Sequence, residues 1–443
     1  MDTVLLYILG IVIMIVGLAL SIGLHEVGHL VPAKLFGVRV GQYMIGFGPT
    51  LWSRRFGETE YGLKAVPLGG YISMSGMYPP AKGESVSRDA STGFFQTLMQ
   101  DARSASDQTI EPGHEERVFY KLATWKRIII MFGGPFMNLL IGVLLYAIVL
   151  CGFGVAQVTT TVGGVNACVL PATSERQDCE PGDPAAPGAA AGIKPGDELV
   201  SMNGESIETW DQATAIIRSL PGESLSVVVL RDGATVELDA EPLLTERYVV
   251  TDDGRDYVEN DQGERITEEV GFLGISPASA VVQQPVTAVL PAVGDNIGRV
   301  AHMILNLPQR LIDIAEAAFG TEERDPNGPV SVVGVGRLAG EITSLNTIPV
   351  AERAASLLQL LGALNVALFV FNLIPLLPLD GGHIAGAIWE GVRRFFAKLF
   401  GRKDPGPVDI ARFIPLTLVV IGLIGAMSLL LIYADIVKPI SIL

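Results

Sequence analysis

Four long windows without a charged side chain decide what this chain can fold into. They run from Val4 to Leu24, Ile128 to Val158, Ala354 to Leu379 and Phe413 to Ala434. About 20 apolar residues in a helix cross the hydrocarbon of a bilayer, and in lipid every backbone polar group must be satisfied within the protein. Composition agrees, with 49% hydrophobic against 18% charged residues and a mean hydropathy of +0.42. A net charge of −16 excludes a general nucleic-acid binder, which would have to neutralise rows of phosphates. Three cysteines exclude a disulfide scaffold and a CxxC-type zinc finger. The expectation is a polytopic α-helical membrane protein with four transmembrane helices.

The first window follows Asp2, has no Lys or Arg before it and lacks a small-residue cleavage pattern. It therefore reads as a span and not a signal peptide. Lys34 and Arg39 follow span one; Lys121, Lys126 and Arg127 precede span two; Arg393, Arg394, Lys398, Arg402 and Lys403 lie between spans three and four. Basic loops stay cytoplasmic, so both termini and the acidic connection between spans two and three are placed outside. The expected division is span one within 1–30, a segment and polar loop 31–126, span two 127–158, a soluble domain 159–280, an extracytoplasmic amphipathic segment 281–352, span three 353–383, a cytoplasmic connection 384–411 and span four 412–436.

The soluble insert opens with Pro181-Gly182-Asp183-Pro184 and Pro187-Gly188, a loop signal. Ala189 to Gly204, AAAGIKPGDELVSMNG, resembles the corresponding region of bacterial PDZ domains. Trp210 to Leu220 has helical spacing, and Leu225 to Leu230 and Thr235 to Leu238 read as strands around an Arg231-Asp232-Gly233 turn. An α/β module that adds a peptide to its sheet edge and one with no ligand both satisfy this pattern. Cys168 and Cys179 either close a short loop or stay free, and Cys151 reads as a small buried hydrophobe. Val286 to Phe319 has the mixed spacing of an amphipathic helix, at the membrane surface or packed on the domain, and His302 within it reads as a surface residue.

Chemistry concentrates at the cytoplasmic end of span one, in His25-Glu26-Val27-Gly28-His29. Residues i and i+4 share a helix face, so both imidazoles can hold one zinc ion with Glu26 beside it as general base. Two histidines and a glutamate at the edge of the hydrocarbon are expensive, which makes them functional candidates. A catalytic zinc site takes three protein ligands and leaves one position open. Asp380 stands at the end of a long uncharged run, after Asn372-Leu373-Ile374-Pro375-Leu376-Leu377-Pro378-Leu379. The prolines there would break the helix and expose backbone, tolerable at depth only inside protein or along a cavity. His383 competes for the third position, and His114 more distantly.

HExxH in the first span, an Asn-Pro-Asp-Gly motif in a later one and the PDZ-like insert between them resemble the site-2 protease family of intramembrane zinc metalloproteases. The resemblance covers nearly the whole chain, including Gly133-Gly134-Pro135-Phe136-Met137-Asn138 and Gly328-Pro329-Val330. It is strongest toward bacterial regulators of sigma-factor signalling, and LLPLDGGHIAG has an actinobacterial wording. The resemblance implies zinc as cofactor, His25, His29 and Asp380 as ligands, Glu26 as catalytic base, and Asn372 with Pro375 on the substrate backbone. One departure is local: the family pattern NxxPxPxxDG has its second proline where Leu377 stands, and here the proline is Pro378.

The same resemblance implies regulated intramembrane proteolysis in a stress response at the bacterial inner membrane. The active site would face the cytoplasmic side, and the substrate would be a single-span protein trimmed outside beforehand, an anti-sigma factor. Tyr61 to Met77 would form a membrane re-entrant β-hairpin around a Pro67 to Gly70 turn, and Ala81 to Glu116 a flexible cytoplasmic loop. The PDZ-like module would act as size filter or as reader of the new terminus. The rival from another class is a non-catalytic membrane adaptor with structural zinc, for which Glu26 would have no use. A zinc transporter is weaker still, since its path should show ionisable groups in several spans.

Overall fold

The computed structural model describes residues 2–79, 103–110, 113–174, 176, 178–250, 257–258, 260, 265–320, 324 and 328–440. Most of the polar stretch 81–116 lies outside the described residues. The chain divides into two compact units, one made of residues 1–153 with 285–443 and the other of 154–284.

Among the described residues of the first unit, four helices are long and apolar enough to cross a membrane: Thr3–Leu35, Thr124–Phe153, Val350–Asn372 and Ile414–Val437. They belong to α1 (Asp2–Leu35), α2 (Thr124–Ala147, continued by a π-helical turn over Ile148–Phe153), α7 (Val350–Asn372) and α9 (Ile414–Val437). At about 1.5 Å per residue even the shortest exceeds the hydrocarbon thickness. Lipid supplies no hydrophobic drive between helices, so close backbone approach matters. Accordingly, a Cβ on Gly10 of α1 would strike the carbonyl of Ala339 in α6 (Val332–Ser344), and one on Gly340 of α6 would strike the Tyr7 ring. Polar side chains also join helices: Asn365 of α7 donates to Ser21 Oγ of α1 at 3.0 Å.

The third apolar window does not stay helical to Leu379. The helix α7 stops at Asn372, Leu373–Leu379 is irregular, and the chain restarts as α8 (Asp380–Leu399). Pro375 and Pro378 supply no backbone N–H, which accounts for the break. Upstream of α7, the expected amphipathic stretch forms two helices, α4 (Val289–Leu305) and α5 (Leu307–Phe319), parted at Asn306.

Between α1 and α2 lie two long strands, β1 (Val40–Phe56) and β2 (Thr59–Met74). They are joined at Gly57-Glu58, and the expected turn at Pro67 to Gly70 is not a turn: the strand runs through it. Gly69, with φ of +119°, bends the strand where a side chain would be strained. Both strands fold over, so Gln42 to Ile45 has partners on two sides, Glu60 to Leu63 and Gly70 to Ser73.

The second unit carries a sheet in the order β10-β3-β4-β6-β7, with β5 (Glu205–Ser206) paired to β4. Its strands are β3 (Val155–Val165), β4 (Glu198–Met202), β6 (Leu225–Arg231), β7 (Ala234–Ala240) and β10 (Ile275–Val282); β8 (Leu243–Tyr248) and β9 (Thr267–Phe272) form a separate pair. Alternation along β6 buries Leu225, Val227 and Val229 against Ile217 of α3 (Trp210–Ser219), whose start is fixed by a Thr209/Gln212 capping box. Asp232 and Gly233, both at positive φ, make the two-residue turn from β6 to β7. Cys168 and Cys179 are joined as a disulfide, and Cys151 is a free, half-buried thiol.

Candidate metal centre

The α-helical repeat brings His25 and His29 onto one face of α1, with their Nε2 atoms 3.2 Å apart. Asp380, the first residue of α8, places Oδ2 3.3 Å from His25 Nε2 and 3.4 Å from His29 Nε2. These three form the one group of metal-ligating side chains converging within 4.8 Å among the described residues. A tetrahedral zinc ion with ligands at about 2.0–2.1 Å holds neighbouring ligand atoms about 3.3 Å apart, which is the spacing of this triangle. Asp380 Oδ2 is buried and otherwise without a hydrogen-bond partner, as an acceptor awaiting a cation would be.

The remaining ring nitrogens are held from α2. His29 Nδ1 lies 2.7 Å from the carbonyl oxygen of Ile130, to which it donates, leaving Nε2 as the free lone pair. His25 Nδ1 faces the Asn138 side-chain amide at 3.1 Å. Neither partner is near the histidines in sequence; both arrive because α2 passes unusually close to α1. A Cβ on Gly134 would come within 2.7 Å of His25 Nε2, and one on Gly28 would collide with the backbone at Gly133. Pro32 carries no N–H, so the Gly28 carbonyl lacks its helical donor, and that carbonyl is the atom a Cβ on Gly133 would strike. The glycines of GGPFMN thus let the helices touch, and the motif's asparagine lands on the first histidine.

Glu26 is buried, at 8% exposure, on the turn between the two histidines. Its Cγ packs on β2, where a Cβ on Gly70 would sit 3.0 Å away, and Tyr43 of β1 donates to the carbonyl of Gly23 at 2.7 Å. The strand pair is therefore fixed beside the carboxylate. Among the described residues, segment 70–73 of β2 pairs on one side with 42–45, and its other side has no strand partner.

Asn372, half-buried, ends α7, and Pro375 is exposed in the loop leading to Asp380. Pro375, Leu376 and Leu377 also line an apolar cavity of about 240 Å³ with Trp389, Ile410 and Phe413. His383 lies one turn beyond Asp380 with its Nδ1 buried and unpartnered, and His114 stands in a distant turn; neither joins the converging triangle.

A second ion-pair cluster supports the centre from outside. Glu390 of α8 is fully buried and accepts from Arg127, three residues before Ile130 on α2. It also accepts from the Val408 backbone N–H at 2.9 Å and lies 3.1 Å from Arg394. The two helices that frame the metal triangle are thereby pinned to each other.

The profile of peptidase family M50 matches residues 13–403. The chain is 34% identical to zinc metalloprotease Rip1 of Mycobacterium tuberculosis, strain H37Rv, over 99% of both chains. It is 33% identical to zinc metalloprotease Rip1 of Mycolicibacterium smegmatis over 98% of each, and 26% identical to metalloprotease MmpA of Caulobacter vibrioides over 87% of this chain and 88% of that one. Since these matches run through both the histidines of α1 and the aspartate of α8, the chain belongs to peptidase family M50, the site-2 protease family.

Proposed function

We propose that this M50 peptidase is an intramembrane zinc metalloendopeptidase that cuts a single-span protein within or beside its transmembrane segment. The observation that carries the reading is the triangle of His25 Nε2, His29 Nε2 and Asp380 Oδ2 at zinc-ligand spacing, with Glu26 on the same helix turn. When bound there, zinc supplies a Lewis-acid centre that polarises a carbonyl and makes a water a nucleophile at neutral pH. The chain's own residues do the rest. His29 and His25 are held with Nε2 outward by the Ile130 carbonyl and Asn138, and the Glu26 carboxylate takes a proton from water and returns it to the leaving amine.

A peptide bond inside a helix is shielded, so the substrate must open into an extended strand before it can be cut. The free side of 70–73 is suited to receive that strand by β-addition, which would present it along Glu26. Asn372 and Pro375 would hold the opened backbone from the segment that leads to Asp380. In this reading the β1–β2 pair is a re-entrant hairpin, and exposed Phe47, Leu51 and Trp52 on it meet lipid. The unit 154–284 is a PDZ-like extracytoplasmic module that filters or reads substrates trimmed outside. The substrate class is a membrane-anchored regulator of the anti-sigma type, cleaved from the cytoplasmic side of the cell membrane in a stress response.

The test is cleavage of a trimmed single-span reporter by the purified chain and by Glu26→Gln, with zinc content measured in both. Cleavage by the wild type alone at equal zinc is expected. Equal zinc with cleavage by neither, across several trimmed reporters, would favour the non-catalytic adaptor.

A further inference from the structure

Helix α8 carries a feature that zinc chemistry does not use. Ile388, Trp389, Val392, Phe395, Phe396 and Leu399 follow a helical repeat and form one outward stripe, with Trp389 58% and Phe395 64% exposed. Its opposite face is closed: Ala387 and Glu390 are buried, and Gly391 lies against Thr124 of α2. The stripe faces away from that packing, and of its residues Trp389 also borders the cavity shared with Pro375, Ile410 and Phe413.

Charge flanks the stripe. Arg394 is paired with Glu390 and Asp404 at 3.1 and 3.4 Å. Arg393, Lys398, Arg402 and Lys403 have no carboxylate within ion-pair distance among the described residues, although Lys398, Arg402 and Lys403 are all exposed. The helix is also bracketed by two span ends, since α7 finishes at Asn372 and α9 begins at Ile414. Both ends of the helix are therefore tethered to span ends by short connections.

We propose that the outer half of α8, from its contact with the start of α2 onward, seats its aromatic stripe in the acyl boundary of the leaflet on the metal-site side and its four unpaired cations on anionic phospholipid headgroups. The occupant is a lipid surface because one face offers an apolar stripe and its flanks offer cations, the two requirements of interfacial binding. Trp at the headgroup level and long basic side chains reaching past an apolar body are the expected anchors. Since α8 starts at Asp380, this seating also anchors the helix that presents the third metal ligand.

The full-length chain is reconstituted in phosphatidylcholine vesicles with and without phosphatidylglycerol. Trp389 is read as the difference in fluorescence between wild type and Trp389→Phe, using lipid brominated near the glycerol backbone as quencher. Quenching of the Trp389 component is expected, and phosphatidylglycerol should strengthen it. Each basic residue near an anionic surface changes partition by roughly fivefold. The combined variant R393Q, K398Q, R402Q and K403Q should therefore lose the phosphatidylglycerol dependence while keeping its fold and zinc. A Trp389 component untouched by brominated lipid overturns the proposal, as does one indifferent to phosphatidylglycerol in the wild type. Shielding of Trp389 from lipid together with cross-linking of two copies through position 395 would make the stripe a subunit contact and overturn it as well. The readout needs no cleavage, so its failure is separable from failure of the peptidase assignment.

Discussion

The Asn138 side chain stands 3.1 Å from His25 Nδ1, and the amide oxygen of Asn138 is buried without a hydrogen-bond partner. A neutral imidazole that binds a metal through Nε2 carries its hydrogen on Nδ1 and must donate it. The amide oxygen and nitrogen exchange places by a simple flip. With Oδ1 turned to His25, one movement satisfies both the orphaned oxygen and the imidazole. Asn138 then does for His25 what the Ile130 carbonyl does for His29.

Replacing Asn138 by Leu should accordingly weaken zinc binding or activity about 10–100-fold, the usual cost of losing such a partner. Competition with a chelator of known affinity measures it. Asn138→Asp, which keeps an acceptor, should retain more of the affinity than Asn138→Leu, and equal loss in the two would sink the hydrogen-bond account.

The pair Arg127 and Glu390 makes a different prediction. Both are buried at the junction of α2 and α8. Glu390→Gln leaves Arg127 charged and unpaired in a closed site, a change that costs about 3–5 kcal/mol. The double variant Arg127→Met with Glu390→Leu removes both charges and should recover part of that loss, since Arg394 keeps Asp404 while the Val408 N–H loses its acceptor. Thermal unfolding of the three proteins in the same detergent gives the answer, and a double variant as unstable as Glu390→Gln would contradict it.

Much of the metal site is legible in the sequence because its spacing is local. His25, Glu26 and His29 need only a helix, and Asp380 stands out as an acid closing an uncharged run. The supports are not legible in that way. Ile130 acts through its backbone, which its side chain does not advertise, and Asn138 reaches His25 only because Gly28, Gly133 and Gly134 let two helices touch. The turn expected at Pro67 to Gly70 shows the limit of local signals, since Pro and Gly mark a bend as readily as a reversal. The basic connection after Asp380 reads as loop by charge, yet its apolar residues fall on one helical face once α8 is drawn.

In the second unit, Asp197 is nearly fully buried and its carboxylate is held by Arg231 through two contacts of 2.7 Å and by the Lys194 backbone N–H at 2.8 Å. The Arg231 guanidinium, foremost, holds this carboxyl below the usual carboxylate range. A carboxyl depressed by folding stabilises the fold above its unfolded value, near 4, and that contribution is lost as pH falls through the lower, folded value. The protection of β4 and β6 amides in the full chain, with the intrinsic exchange rate at each pH divided out, should therefore fall on acidification beyond that point. In Asp197→Asn it should already be lower at neutral pH and change less with acid. An identical pH dependence in the two proteins would assign acid sensitivity elsewhere.

Gly70 stands at one end of the proposed strand-receiving edge, against Glu26. A Cβ there would stand 3.0 Å from Glu26 Cγ, 3.1 Å from the Met44 carbonyl and 3.2 Å from Ile22. The larger Gly70→Val side chain must push β2 away from Glu26, while nothing in the contact touches His25, His29 or Asp380. Misplacing reacting groups by about an ångström costs on the order of 10²-fold in rate. Gly70→Val is thus expected to bind zinc as the wild type does and to cleave the trimmed reporter about that much more slowly. Glu26→Gln is the control for loss of the base itself, and the two differ in what a looser substrate should rescue. A reporter with helix-breaking residues at the cut site, already strand-like, should recover part of the Gly70→Val rate and none of the Glu26→Gln rate. Wild-type cleavage by Gly70→Val would remove this edge from the substrate path.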